Sequence, residues 1–386
     1  MKIGFVSPHT FTYPGGVQKH TLALKKDFEK RGNFIKLIVP REEISQKKEK
    51  DIILLGGSFF IKGNASKANV SFQVTPLKIK KMLNEENFNI LHFQNFGIFL
   101  PIQVLESSDS LRRDKKPPLK ILTLHALWDA SRIFKDFPFL LNIFNNYFLP
   151  KFDGVIGVSQ PVLDQIKYQG ISQVIPNGVD LDFFKPQGEK IKKFQDKKIN
   201  ILFVGRIEER KGLFYLVRAF ENLKKRKKDI RLIVVGEGKE EKKEIVNFIR
   251  KKKIKDVIFE GKVEEKDLPK YYRTCDIFCS PAIFGESFGI VLLEAMACQK
   301  PIVAFANTGY KEVLKGKGRE SLVKVKDIKA LEKKLFRFIK EKKLRQNMAV
   351  WGLWEAKKYS WERVAKDTLK FYDKVLKSKN IIKKKK

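Results

Sequence analysis

Glu286 and Glu294 lie eight positions apart in the run Phe284-Gly285-Glu286-Ser287-Phe288-Gly289-Ile290-Val291-Leu292-Leu293-Glu294-Ala295. Its glycines and serine read as a loop, and Ile290 to Ala297 reads as an apolar helix. A helix starting near Ser287 aims free backbone N–H groups, and the positive end of its dipole, back toward Glu286. Such an end suits a phosphate, and Gly289 lets a ligand approach the backbone closely. Glu286 is then expected at the mouth of the site and Glu294 about two turns deeper. Carboxylates accept hydrogen bonds from the hydroxyls of a sugar or ribose. The spacing therefore points to a nucleotide-sugar site built from Glu286, the backbone around Phe288 and Gly289, and Glu294.

Other candidates sit where strands are expected to end. The run Phe203-Val204-Gly205-Arg206-Ile207-Glu208-Glu209-Arg210-Lys211-Gly212 places Gly205, Arg206 and Lys211 just past a strand. Cations there could neutralise charge developing on a departing diphosphate, and a solvated basic loop is the plainer alternative. Gly236-Glu237-Gly238 ends the next strand and could meet a nucleotide base. In Ser7-Pro8-His9-Thr10-Phe11-Thr12-Tyr13-Pro14-Gly15-Gly16-Val17-Gln18, paired glycines at a strand-to-helix turn can present N–H groups to a phosphate or sugar. His125 follows Lys120 to Leu124 and could hydrogen-bond a reacting sugar hydroxyl, although a lone histidine is often structural. His92 ends another strand and His9 lies in the first loop, with no zinc spacing among them. Asp180-Leu181-Asp182 follows the turn signal Pro176-Asn177-Gly178 and is read as a turn rather than a metal site. There is no Gly-x-Ser-x-Gly elbow and no Walker loop.

These residues need a scaffold of parallel strands. The chain of 386 residues, 43% hydrophobic, is long enough for two packed domains. Short apolar runs alternate with amphipathic segments throughout. Strands are expected at Lys2–Val6, Phe34–Val39, Ile90–Phe93, Lys120–Leu124 and Val155–Val158. A second series is expected at Asn200–Val204, Arg231–Val235, Val257–Glu260, Asp276–Cys279 and Pro301–Phe305. Strand-helix alternation of this kind gives α/β domains with doubly wound parallel sheets, whose ligands bind at the strands' carboxyl ends. The polar segment 183–198 reads as a linker between domains at 1–182 and 199–357.

Composition constrains the setting. Three cysteines fit a reducing compartment and core positions. No apolar run approaches a membrane span, and the N-terminus reads as a first strand rather than a signal peptide. The net charge of +36 favours polyanions, while the scattered lysines equally fit an AT-rich codon bias. A basic nucleic-acid-binding protein would also carry such a charge, but no recognised module or aromatic interleaving accompanies it, so no specific nucleic acid partner is expected.

In this order the motifs resemble the retaining glycosyltransferases of the GT-B fold, the large family four, with two Rossmann-like domains facing a cleft. The resemblance rests on Glu286 with Glu294, the Gly205-Arg206 and Lys211-Gly212 run, and Pro176-Asn177-Gly178-Val179-Asp180. Pro14-Gly15-Gly16-Val17-Gln18 and the stretch Pro76 to Phe93 look closest to the phosphatidylinositol mannosyltransferase branch. It implies that Arg206 and Lys211 bind the diphosphate of a nucleotide sugar donor, that Glu286 contacts the donor sugar and that Glu294 holds the ribose. It also implies that Gly16 helps place donor and acceptor, that His125 contacts the transferring sugar, and that the last helix, about 358–378, packs back on the first domain. Transfer would retain configuration, without an obligatory metal or other cofactor. Phe93-Gln94-Asn95 departs from relatives that place a second histidine and an acidic residue after His92. An epimerase on the same fold is the rival enzyme.

The same branch raises a membrane surface. Leu77 to Leu83 could lie on an anionic bilayer or bury Leu77, Met82 and Leu83 in its own domain. The location implied is cytoplasmic and peripheral on the inner face of the plasma membrane, with a lipid-linked, phosphorylated or saccharide acceptor.

Overall fold

A computed structural model describes residues 1–11, 15–41, 50–63, 66–72, 75–97, 99–109, 111, 117–128 and 136–384. Thr12, Tyr13 and Pro14 of the first glycine loop lie outside the described residues. The chain forms two compact units, one of Met1–Asn177 with Trp361–Lys386 and one of Gly178–Ser360.

The first unit is built on a parallel sheet of β1 (Lys2–Val6), β2 (Phe34–Pro40), β3 (Ile52–Leu55), β6 (Ile90–Gln94), β7 (Leu119–Leu124), β8 (Gly154–Gly157) and β9 (Ile171–Val174), in the order β3-β2-β1-β6-β7-β8-β9. Between β3 and β6 the chain adds an antiparallel hairpin of β4 (Gly57–Gly63) and β5 (Ser66–Phe72). The second unit carries β10 (Ile199–Val204), β11 (Ile230–Val235), β12 (Val257–Gly261), β13 (Ile277–Ser280), β14 (Ile302–Phe305) and β15 (Leu322–Val323), in the order β12-β11-β10-β13-β14-β15. Every strand expected from the sequence occurs, each end within one residue of its expected place. Strands such as β11 and β14 are buried along their whole length, which is why they read as unbroken apolar runs.

Leaving the hairpin aside, both sheets wind outward in both directions from their first strand. The direction reverses between β1 and β6 in one unit and between β10 and β13 in the other. In doubly wound sheets that reversal opens the crevice where ligands bind.

Two helices cover the same side of the first sheet. The Gly16–Lys30 helix buries His20, Thr21, Leu24 and Phe28. The Trp361–Lys384 helix buries Val364, Ala365, Thr368, Phe371, Tyr372 and Val375, a repeat of three and four that forms one apolar stripe. The Phe28 and Tyr372 rings meet edge to face with centroids 6.0 Å apart. Burying each large apolar side chain there stabilises the unit by about 1.5–3 kcal/mol.

Segment 183–198 is not a free linker. It belongs to the second unit, where Phe184 and Phe194 are buried. The Phe184 ring packs on Tyr272, and Asn200 Nδ2 donates to the Phe194 carbonyl at 2.9 Å. Tyr272 to Thr274 close the Leu268–Thr274 helix, and the next strand begins at Ile277. Among the described residues no helix is long and apolar enough to cross a membrane.

Candidate functional site

The reversal point of the second sheet gathers most of the expected site residues. Past β10, Gly205 and Arg206 lead into a short 3-10 turn, Glu209–Lys211, capped by Gly212. Past β13, the loop through Glu286 reaches the Ile290–Ala297 helix, whose N-cap is Gly289. The helix spans the stretch read as apolar from the sequence, so Ser287 lies in the loop before it.

Charges alternate across these two loops. Arg206 Nη1 pairs with Glu208 Oε1 at 2.8 Å, and Arg210 Nε donates to Glu208 Oε2 at 3.1 Å. Arg210 Nη1 and Lys211 Nζ then both donate to Glu286 Oε1, at 3.0 and 2.5 Å. Within these pairs three cations face two carboxylates, and the exposed Glu209 of the same turn balances the formal charge of the two loops. Arg206 ends this chain half-exposed, whereas Arg210, Lys211 and Glu286 are mostly covered. A carboxylate with one oxygen fixed by two cations is held rigidly, and cations in a partly desolvated loop act strongly on an incoming anion.

The neighbouring backbone is shaped by close approach. Gly289 has φ +114°, and a Cβ there would stand 2.7 Å from the Tyr310 ring. Gly236 has φ +139°, and its Cβ would meet the Gly205 carbonyl oxygen at 1.8 Å. Packing alone requires both glycines, and it brings the ends of β10 and β11 together. Tyr310, whose hydroxyl lies 2.6 Å from Ser280 Oγ, is fixed further by Asn307, which caps its backbone N–H at 2.9 Å.

Two expected residues contribute differently from their reading. Phe288 is 3% exposed and its ring packs on Tyr359 at 5.7 Å, so only its backbone can serve a ligand. Glu294 lies little more than one helical turn past Gly289, not two turns deep. It is buried, and Oε2 accepts the Tyr272 hydroxyl at 2.7 Å. Burial and this carboxylate hold the Tyr272 hydroxyl well above the usual phenol range, so it stays a donor.

Gly16 and His125 belong to the first unit. Gly16 opens the Gly16–Lys30 helix after β1, with Gly15 as its N-cap. His125 follows β7 directly, 7% exposed, with Nε2 3.0 Å from Gln94 Oε1. Its ring stands edge-on to His20 at 4.6 Å. His20 Nδ1 lies 3.0 Å from Asn177 Oδ1. His92 is fully buried between Thr123 Oγ1 and the Tyr372 hydroxyl, each at 2.6 Å. Burial, then the nearby His20, His92 and His9, push His125 well below the ordinary imidazole value. Burial lowers His20 to about 4, and lowers His92 well below its ordinary value with help from His20. The cluster is a set of neutral imidazoles and amides, suited to hydroxyl groups rather than to phosphate.

Several members escaped sequence reasoning. Arg210 gave no signal because single cations are uninformative among 80 Lys and Arg residues. His20 reads as one more buried position of a helix, and Tyr272 as a core aromatic. Asp180 is used locally, its Oδ1 accepting the Asp182 and Phe183 N–H groups at 3.0 Å. Among the described residues no group of three or more His, Cys, Asp or Glu is arranged to hold a metal. All three cysteines are buried, and burial pushes Cys275 and Cys298 up to about 12, so they are core thiols.

Two family descriptions fit successive parts of the chain: "Glycosyltransferase Family 4" matches residues 14–183 and "Glycosyl transferases group 1" matches residues 184–350. The phosphatidyl-myo-inositol mannosyltransferase of Mycobacterium leprae is 29% identical over 387 residues, covering 97% of each chain. That of Mycolicibacterium smegmatis is 28% identical over 386 residues, covering 97% of this chain and 94% of its own. A glycosyltransferase from Rickettsia africae has a similar structure, with TM-score 0.77, 19% identity and coverage of 97% of this chain and 98% of that one. Anabaena HepE, solved with UDP and glucose, gives TM-score 0.76 at 17% identity, covering 97% of this chain and all of its own. At such identities the solved structures speak for the fold.

Proposed function

Because the chain belongs to glycosyltransferase family four and has its GT-B architecture of two parallel-sheet domains, we propose that it moves a hexose from a nucleoside diphosphate sugar to an acceptor hydroxyl with retention of configuration. The observation that carries this reading is the alternating charge chain Arg206–Glu208–Arg210–Glu286–Lys211 at the reversal point of the second sheet. Its fixed cations, Arg206 at the exposed end among them, and the N-terminus of the Ile290–Ala297 helix suit a diphosphate. Arg206 and Lys211 bind and stabilise the leaving diphosphate, Glu286 accepts from sugar hydroxyls, and Glu294, oriented by Tyr272, accepts from the ribose. The backbone at Gly205, Gly236, Phe288 and Gly289 lines the donor.

The first unit supplies the acceptor side. There Gly16 presents backbone N–H groups, and the neutral His125 offers a hydrogen bond to the transferring sugar. Neutralisation by fixed cations makes an obligatory metal unnecessary. The acceptor oxygen attacks the anomeric carbon on the face the diphosphate leaves, and the leaving phosphate oxygen takes the hydroxyl proton. The relatives' name supports a mannose-type hexose and a lipid-linked acceptor, hence a peripheral position on the inner face of the plasma membrane.

The test is a thermal-shift titration with UDP, GDP and ADP at two salt concentrations, on wild type and Lys211→Ala. Stabilisation by one nucleoside diphosphate, weakened in the variant, is the expected result. An equal response to every polyanion that vanishes with salt would overturn the donor site. The anomeric proton of the transferred sugar, read by NMR, then decides between retention and inversion.

A further inference from the structure

The sequence leaves Leu77 to Leu83 open between an anionic bilayer and burial in its own domain. The structure forms the Pro76–Glu86 helix there and favours burial, with Ile79 and Leu83 buried and Leu77 left as its outward apolar residue. A different surface of the first unit is uncharged and apolar. Residues 137–150 read Phe-Pro-Phe-Leu-Leu-Asn-Ile-Phe-Asn-Asn-Tyr-Phe-Leu-Pro, without a charged side chain in a chain that is 32% charged.

This segment forms the Pro138–Ile143 helix, continues through a wide turn at Phe144–Phe148, and closes in the turn Leu149–Lys151. One side is anchored. Phe144 and Leu149 are buried, and the Phe144 ring lies 4.9 Å from both Phe96 and Trp128. The other side is bare: Phe137 is 51% exposed, Phe139 55%, Ile143 44% and Tyr147 54%. Phe139, Ile143 and Tyr147 recur every fourth residue and so follow one side of the segment. Phe99, also exposed, opens the adjoining Leu100–Ser108 helix.

Cations flank this face. Lys151 Nζ stands 4.1 Å from the Tyr147 ring centroid while pairing with Glu106 of the Leu100–Ser108 helix at 2.6 Å. That helix packs against Pro76–Glu86, whose Lys78 and Lys81 are exposed. Lys167, whose N–H meets Asn145 Oδ1, is exposed beside the segment.

We propose that this face docks on an anionic lipid bilayer, with Phe137, Phe139, Ile143 and Tyr147 entering the boundary between headgroups and acyl chains. Aromatic and aliphatic side chains on one side of a short helix, next to lysines, match such a boundary. Charge selects the occupant: copies carrying +36 repel one another, whereas an anionic surface attracts them. The inference rests on the peripheral-membrane part of the proposed function and needs none of its transfer chemistry.

The test is sedimentation of the full chain with phosphatidylcholine vesicles, with and without phosphatidylglycerol, comparing wild type and a Phe139→Ser/Ile143→Ser double variant. Both positions are exposed, so the variant should unfold at the wild-type temperature. Wild type should bind the anionic vesicles, and the variant should bind on the order of tenfold or more weakly. A Phe139→Trp variant should gain fluorescence quenching by lipids brominated on the acyl chain. Equal binding of wild type and the double variant, with no quenching in Phe139→Trp, would overturn this surface while leaving membrane association standing. No vesicle binding by wild type would overturn both. Concentration-dependent dimerisation abolished by the double variant would assign the face to a second copy and overturn the proposal.

Discussion

The two units share a strand order and a reversal point but fill that point with opposite chemistry. In the second unit it holds three cations and two carboxylates, chained by ion pairs of 2.5 to 3.1 Å. In the first it holds His9, His20, His92 and His125, all the histidines of the chain, with Gln94 and Asn177 among them. On the proposed function, the same backbone crevice serves an anion in one case and neutral hydroxyls in the other. The topology provides the crevice, and the side chains at the strand ends decide its ligand.

The sharpest way to break this division is to remove charge from the second unit. Glu286→Gln should lower transfer by about a hundredfold or more, and Lys211→Ala by well over tenfold, because each removes a preorganised partner of the donor. Steady-state kinetics with the nucleotide identified by thermal shift would measure both. Unchanged turnover in both variants would sink the assignment. His125→Asn should slow transfer by about tenfold to a hundredfold. It should leave nucleoside diphosphate affinity as it is, since His125 belongs to the other unit. A comparable loss of nucleotide affinity, measured by calorimetry, would erase the division of labour.

Acid should separate the units without any mutation. His20 is lowered by burial to about 4, and His92 and His125 are also lowered, so folding favours their neutral forms. Their stabilisation is fully present above about pH 6.5, where the unfolded chain also leaves imidazole neutral, and it is lost as the pH falls toward about 4. His20 alone accounts for about 3 kcal/mol of that loss. The second unit contains no histidine and should keep its structure further into acid. Denaturant unfolding between pH 7 and 4.5 would show one transition weakening first, and His20→Gln would flatten that slope. The smallest effect is expected from Tyr372→Phe. It removes the hydroxyl facing His92 Nδ1 at 2.6 Å and should cost about 1 kcal/mol of the first unit's stability with no change in nucleotide affinity.

Much of the scaffold could be read from sequence because parallel strands are short, apolar and separated by helices. The places of Arg206 and Lys211 past β10, of Glu286 past β13 and of Glu294 inside the helix beyond could be read for the same reason. What escaped has physical reasons. The Lys342–Ala356 helix buries Met348, Ala349, Gly352 and Ala356, mostly small side chains that leave no strong apolar period. Strands β3, β9 and β15 are only two to four residues long, and β15 lies at a sheet edge. Phe184 and Phe194 lie in a Lys-rich stretch without periodicity, so tertiary packing alone reveals them. The pairing of Arg210 with Glu286 joins residues 76 positions apart and depends on the Glu209–Lys211 turn.

The position of Phe184 bears on how this enzyme can be recombined with its relatives. Its ring supports Tyr272, and Tyr272 holds Glu294. A chimera joined at residue 198 would separate the second unit from a brace of its own carboxylate and strand Phe194 as well. Junctions at Asn177/Gly178 and Ser360/Trp361 keep those aromatics with the sheet they cover and move the first unit as a whole, C-terminal helix included. First units from other members of the family could then be grafted onto an intact second unit.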